Sequence, residues 1–243
     1  MKWQVVVTTA PRTQPTLEDC IASLRDCGWE PIILAEPGSI MTDSPTLWHS
    51  EKQGVWRNWV KSVRFALESD AEVIMTVQDD AVFHPDSKDF TESIMWPAED
   101  CGFISLYTPR HYSIAKDKSI RPVGVNRIYT KSLWGACALV FPRKVLEHVI
   151  TSPLIEQWAG ATPRSRDPNV LEKRRQNPHL IANSDTAIGK LMNWNKYSMW
   201  FVDPSPVAHV AKFSAMGHGG NTGNRNAYRI ADHSLPLRSQ VFP

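Results

Sequence analysis

The chain has 243 residues, enough to bury a sizeable core in one large α/β domain, and 42% hydrophobic with 21% charged residues exclude a disordered chain. A formal charge of +2 is too mild to argue for a polyanionic partner, so any basic surface must be local. Four cysteines (Cys20, Cys27, Cys101, Cys137) without CxxC spacing argue against a zinc site and for reduced, buried thiols. With no long apolar core at the N-terminus and no run near the ~18 residues of a membrane span, a cytoplasmic protein is expected.

In chain order, Trp3 to Thr8 reads as a buried strand, and Thr9-Ala-Pro-Arg-Thr-Gln-Pro15 as the turn leaving it. Thr16 then opens a helix, with Glu18 and Asp19 in its first turn, apolar spacing through Leu17, Cys20, Ile21 and Leu24, and Gly28 as the stop. Glu30 to Ala35 is a second strand ending at Glu36-Pro-Gly38, which completes a βαβ unit. Residues 39–53 are polar and turn-rich. From Gly54 to Leu67 a helix is expected, with Trp56, Trp59, Val60, Val63 and Leu67 on one face. Arg57, Lys61 and Arg64 recur on another, facing solvent or an anionic ligand.

The next stretch organises the chain. Val73, Ile74, Met75 and Val77 form a short apolar run of the kind buried on both faces of a parallel sheet, and it stops at Asp79 and Asp80. Ligands of open α/β sheets bind outside the carboxyl ends of the strands, where two carboxylates can hold a cation and a substrate. A plain acidic turn is the alternative, but apolar Ala81-Val82-Phe83 follows at once.

Beyond it come a short helix from Pro85 to Met95 and a strand from Gly102 to Tyr107. Residues 110–131 hold Arg110, Lys116, Lys118, Arg121, Arg127 and Lys131 against Asp117 alone, a local balance of +5. Trp134 to Phe141 reads as a strand and Arg143 to Ile150 as a helix with Pro142 at its start. Ser152 to Pro178 is irregular and carries the basic cluster Lys173-Arg-Arg175, the sort of long loop that is functional or disordered. Helical spacing resumes from Asn183 to Trp194, where Asp185 either complements the helix dipole or acts chemically. Ser198 to Val202 is a late strand. His209 sits in the alternating Val207-to-Ala211 run as a core histidine or a ligand, and the glycine-rich Ser214 to Arg225 can wrap phosphates, form a lid or be a tail.

This order of parts resembles the GT-A glycosyltransferases, enzymes that use nucleotide sugars on one nucleotide-binding α/β sheet. The resemblance rests on Thr8-Thr-Ala-Pro-Arg12, Gln78-Asp-Asp80, Trp134-Gly-Ala-Cys-Ala through Phe141, Ser184-Asp185 and Pro204-Ser-Pro-Val-Ala-His209. It implies a single GT-A-like domain over 1–243: a mostly parallel sheet flanked by helices, a nucleotide-sugar-binding half (1–107) and an acceptor-side half (108–243) with irregular C-terminal loops.

By the same resemblance, Asp80 and His209 would hold Mn²⁺ or Mg²⁺, and Asp79 and Gln78 would contact the nucleotide. Gln78 replaces the first acid of the family's acidic triplet. Thr8, Thr9 and Arg12 would line base and diphosphate, Glu36 the nucleoside, and Arg57, Asn58 and Lys61 the donor; Asp185 would be the base of an inverting transfer. The implied partners are a nucleotide-sugar donor, a UDP-sugar foremost, and an acceptor hydroxyl. Ten tryptophans, among them Trp48, Trp56, Trp59, Trp134, Trp158 and Trp194, together with the basic stretches, make DNA with hydroxymethylated bases one acceptor candidate beside glycans and small molecules. A nucleotidyltransferase or a catalytically silent binding module of the same fold is the alternative.

Overall fold

The computed structural model describes residues 1–114, 118–129, 133–157, 172, 184–210 and 227–242. Its centre is an eight-stranded sheet in the order β3-β2-β1-β4-β8-β6-β9-β7. The strands are β1 (Trp3–Thr9), β2 (Pro31–Ala35), β3 (Thr46–Trp48), β4 (Val73–Gln78), β6 (Cys101–Ser105), β7 (Gly124–Arg127), β8 (Ala138–Pro142) and β9 (Ser198–Asp203). Strands β3, β2, β1, β4, β6 and β9 run one way, and β8 and β7 run against them. Two short strands, β5 (Ala81–Phe83) and β10 (Val207–His209), form a separate antiparallel ribbon.

Both faces of the sheet are covered, which is why its central strands read as unbroken apolar runs. Val5, Val7, Val73, Met75 and Val77 point to a core shared with α1 (Leu17–Asp26). Also on that side are Phe90 of α3 (Ser87–Ile94) and Leu237 and Val241 of α8 (Leu237–Val241). Val6, Ile74, Leu139 and Phe141 point to the opposite core, filled by α2 (Gly54–Leu67), α5 (Arg143–Val149) and α7 (Ser184–Trp194). Two further one-turn helices, α4 (Arg110–Ser113) and α6 (Leu154–Gln157), lie in the connections.

Local chemistry sets the helix ends. Gly28 takes φ +78° after α1, letting Trp29 N–H reach back to the Leu24 carbonyl at 3.0 Å. Helix α2 is clamped by charge at both ends. The buried Glu36 carboxylate accepts the N–H groups of Gln53 (2.7 Å) and Gly54 (2.8 Å) at its N-terminus. At its C-terminus the Arg143 guanidinium donates to the carbonyls of Leu67 (2.7 Å) and Ala71 (3.3 Å) and to that of Ser69. Negative charge at the start and positive at the end match the helix dipole.

Strands β3 and β7 occupy stretches that read as polar turn and basic loop. Both are half-exposed edge strands, so neither carries the apolar run that marks a central strand. The trio Ala81-Val82-Phe83 forms β5. None of the four cysteines is in a disulfide, and all are buried. Among the described residues, no helix is long and apolar enough to cross a membrane.

Candidate active site

The chain runs from β1 outward to β2 and then returns to lay β4 on the other side of β1, so the order of the sheet reverses between these two parallel strands. Their register pairs Thr8 with Gln78, which places Thr8 and Thr9 beside Gln78, Asp79 and Asp80 at the carboxyl ends. The chain then enters β5, and β10 pairs with it so that His209 faces Ala81. A hydrogen bond from Val210 N–H to the Asp80 carbonyl (2.9 Å) continues this pairing past the strand end.

Arg12, from the turn after β1, spans the two carboxylates. Its Nε donates to Asp79 Oδ1 at 2.9 Å and its Nη2 to Asp80 Oδ2 at 2.8 Å, while the Thr9 hydroxyl donates to Asp79 Oδ2 at 2.6 Å. His209 Nε2 stands 3.1 Å from Asp80 Oδ2. Two buried atoms here lack a hydrogen-bond partner among the described residues: Arg12 Nη1 and Asp80 Oδ1. The donor and acceptor left over are what an anion and a cation would satisfy.

Burial pushes the Asp79 carboxyl above its ordinary range, and its bonds to Arg12 and Thr9 offset only part of that. Burial pushes Asp80 up as well, but His209 and Arg12 together outweigh it and hold the group below the usual range. Arg12 is the mirror case: burial disfavours its charge, yet the two carboxylates raise its pKa.

Asp80, Cys137 and His209 each present one ligand atom within 4.8 Å of the others. The His209 imidazole and the Asp80 carboxylate, whose buried Oδ1 has no partner among the described residues, fit a divalent cation. Cys137 precedes β8, where its carbonyl accepts the N–H of Gln78 at 2.8 Å. In the sequence Cys137 reads as a buried thiol, and no local pattern sets it beside Asp80 and His209.

Asp185 lies in the first turn of α7. Its Oδ2 accepts the N–H of Gly135 at 2.7 Å, and Ser184 Oγ is 3.4 Å from its Oδ1. Gly135 has φ +72°, and a Cβ there would lie 2.5 Å from Cε1 of Tyr107, so neither the turn nor the packing leaves room for a side chain. Ser184 also lines a cleft of about 10 Å³ together with Thr8, Gln78, Trp59 and Ala136, which puts the start of α7 beside the ends of β1 and β4. A second cavity, of about 50 Å³, lies between Arg12, Asp79, Pro11, Gly38 and Ile40.

The remaining candidates are placed differently. Glu36 is engaged at the start of α2, as described. Asn58 is buried, with its Oδ1 3.0 Å from His49 Nε2. Arg57 and Lys61 lie on the exposed stripe of α2. Trp56 and Trp59 are core residues stacked at 5.2 Å, whereas Trp48, Trp134 and Trp194 are exposed. Lys116, Asp117, Lys131, Trp158, the cluster at 173–175 and the glycine-rich segment 214–225 lie outside the described residues.

No protein-family model and no curated protein sequence matches this chain. Among solved structures, Staphylococcus aureus TarS 1-349 in complex with UDP-GlcNAc is 7% identical with a TM-score of 0.54, covering 91% of this chain and 62% of its own. A mannosyltransferase of Pyrobaculum calidifontis in complex with GDP-Man and Mn²⁺ is 12% identical, with a TM-score of 0.48 over 82% of this chain and 53% of its own. The TarS likeness and the mixed, mostly parallel sheet identify the fold as GT-A-like.

Proposed function

We propose that the protein is a metal-dependent glycosyltransferase that moves a sugar from a nucleotide-sugar donor, a UDP-sugar foremost, to an acceptor hydroxyl. The observation that carries this reading is the buried pair Asp79 and Asp80 at the reversal point of the sheet, beside an Arg12 N–H and an Asp80 oxygen that lack partners among the described residues. Residues 1–107 would bind the donor and 108–243 would present the acceptor.

Asp80 and His209 would hold Mn²⁺ or Mg²⁺, which supplies positive charge for the departing nucleoside diphosphate. Arg12 offers its Nη1–H to the diphosphate, and Thr8, Thr9, Gln78 and Asp79 line the nucleotide. Asp185, fixed by the Gly135 N–H, takes the proton of the acceptor hydroxyl as its oxygen bonds to the anomeric carbon. The bond from that carbon to the diphosphate oxygen breaks, and the configuration inverts.

On the acceptor side, exposed Trp134 adjoins Gly135 and packs edge-on against His111 at 5.5 Å, leaving an indole free to stack on a sugar or a base. With Lys118, Arg121 and Arg127 nearby in sequence, DNA bearing hydroxymethylated bases is one acceptor to try, beside glycans and small metabolites. The test is phosphorus NMR of UDP- and GDP-sugars incubated with Mn²⁺, protein and each acceptor. Release of nucleoside diphosphate with sugar on the acceptor is the expected result. Formation of nucleoside triphosphate and sugar 1-phosphate from the same donors once pyrophosphate is added would instead make the protein a nucleotidyltransferase, and no turnover of any donor would make it a binding module.

A further inference from the structure

We propose that Cys137 is a third protein ligand of the cation centre, and that its thiolate makes the centre select borderline-soft dications such as Zn²⁺ and Co²⁺ over Mg²⁺. The inference rests on the reading of Asp80 and His209 as a cation site and adds to it a donor of a different chemical kind.

Three separate elements bring the donors together. Asp80 follows β4, His209 ends β10, and Cys137 precedes β8, whose first residue Ala138 pairs with Val77 of β4. The three ligand atoms lie within 4.8 Å of one another, within reach of one shared cation. Only 4% of Asp80 and 3% of Cys137 is exposed, so water has little access from either side. Asp80 spends Oδ2 on Arg12 and His209 and leaves Oδ1 buried and unpartnered among the described residues, which is the second sign of a missing ligand.

Charge points the same way. Asp79 and Asp80 against Arg12 leave the buried set one negative charge in excess. That excess favours a dication, and a cysteine that binds one gives up its proton to solvent as the thiolate–metal bond forms. Carboxylate and water suit Mg²⁺, whereas imidazole with thiolate suits Zn²⁺ and its spectroscopic substitute Co²⁺. Missing CxxC spacing rules out a cysteine-rich zinc module, but not one cysteine in a mixed set.

The test uses the full chain, stripped by chelator and titrated with Co²⁺ alone. Expected are visible d–d bands and a near-ultraviolet thiolate-to-Co²⁺ charge-transfer band, both bleached by Zn²⁺ and neither by excess Mg²⁺. Cys137→Ser and Cys137→Ala should each lose the charge-transfer band and about 10–100-fold in Co²⁺ affinity while keeping d–d bands. Far-ultraviolet circular dichroism and thermal melting check that both variants fold, and Cys20→Ser should keep the full spectrum. Wild-type d–d bands without charge transfer would overturn the Cys137 assignment and leave the cation site standing. No Co²⁺ spectrum at all, with or without nucleoside diphosphate, would overturn both.

Discussion

His209 Nε2 stands 3.1 Å from Asp80 Oδ2, and the pairing of β10 with β5, extended by the Val210 N–H on the Asp80 carbonyl, holds the two residues together. A two-stranded ribbon of three residues a side is marginal by itself. Its work is positional: it returns a distant segment of chain to the end of β4. Asp80→Asn and His209→Gln should therefore behave alike, each losing at least about tenfold in divalent-cation affinity by calorimetry. A His209→Gln protein that binds the cation as wild type does would remove His209 from the site.

Asp185 should fail in a different way from Asp80. Replacing it with Asn keeps an acceptor for the Gly135 N–H but removes the base, so turnover should fall about 10²–10⁴-fold with nucleoside diphosphate affinity nearly intact. If the carboxylate serves only the α7 dipole, the cost is about 0.3–1 kcal/mol of stability and turnover survives. Turnover and melting of the same variant separate the two.

Gly135→Ala meets both a left-handed backbone and the Tyr107 ring. The expected loss is about 2–4 kcal/mol, and about 5–15 °C in melting temperature for a chain of this size. Because the Gly135 N–H also fixes Asp185, activity should fall further than stability explains when assayed well below the melting point. Wild-type melting would show that this turn has slack.

Glu36 gives a test of the α2 clamp. Glu36→Ala strands the N–H groups of Gln53 and Gly54 and should cost about 2–3 kcal/mol in urea unfolding, with Glu36→Gln costing less. A drop in nucleoside affinity without a drop in stability would instead assign Glu36 to the donor.

The two site carboxylates should pull stability in opposite directions with pH. Asp80 is held below its ordinary range, so its contribution is complete above that range and is lost as pH falls through the lowered value. Asp79 is raised, so its contribution is present at low pH and is lost as pH rises through the raised value. In chelator, between about pH 2 and 7, Asp80→Asn should flatten the acid limb of stability and Asp79→Asn should steepen it. Identical profiles for the two variants would contradict this division.

The parts legible in the sequence were those with a short-range cause. The runs Val5-Val-Val7 and Val73 to Val77 announced strands covered on both faces. The Trp56, Trp59, Val60 and Val63 spacing announced α2 with its ends where they lie. Edge strands β3 and β7 were hidden because they are short and, of their seven residues, Gly124 alone is buried. The site was legible only in part, since no local pattern shows that Arg12 bridges both carboxylates, that Gly135 holds Asp185, or that Cys137 lies beside Asp80 and His209. Those contacts follow from the order of strands in the sheet.

The central claim is a cation-dependent nucleotide-sugar site at the ends of β1 and β4, and calorimetric titration of nucleoside diphosphate into the protein tests it most directly. Run once in Mn²⁺ and once in excess chelator, the titration should show saturable binding with one site per chain in Mn²⁺, none in chelator, and loss of the Mn²⁺ signal in Asp80→Asn. Binding of equal strength in chelator, or no binding of any nucleoside diphosphate in either buffer, would contradict it.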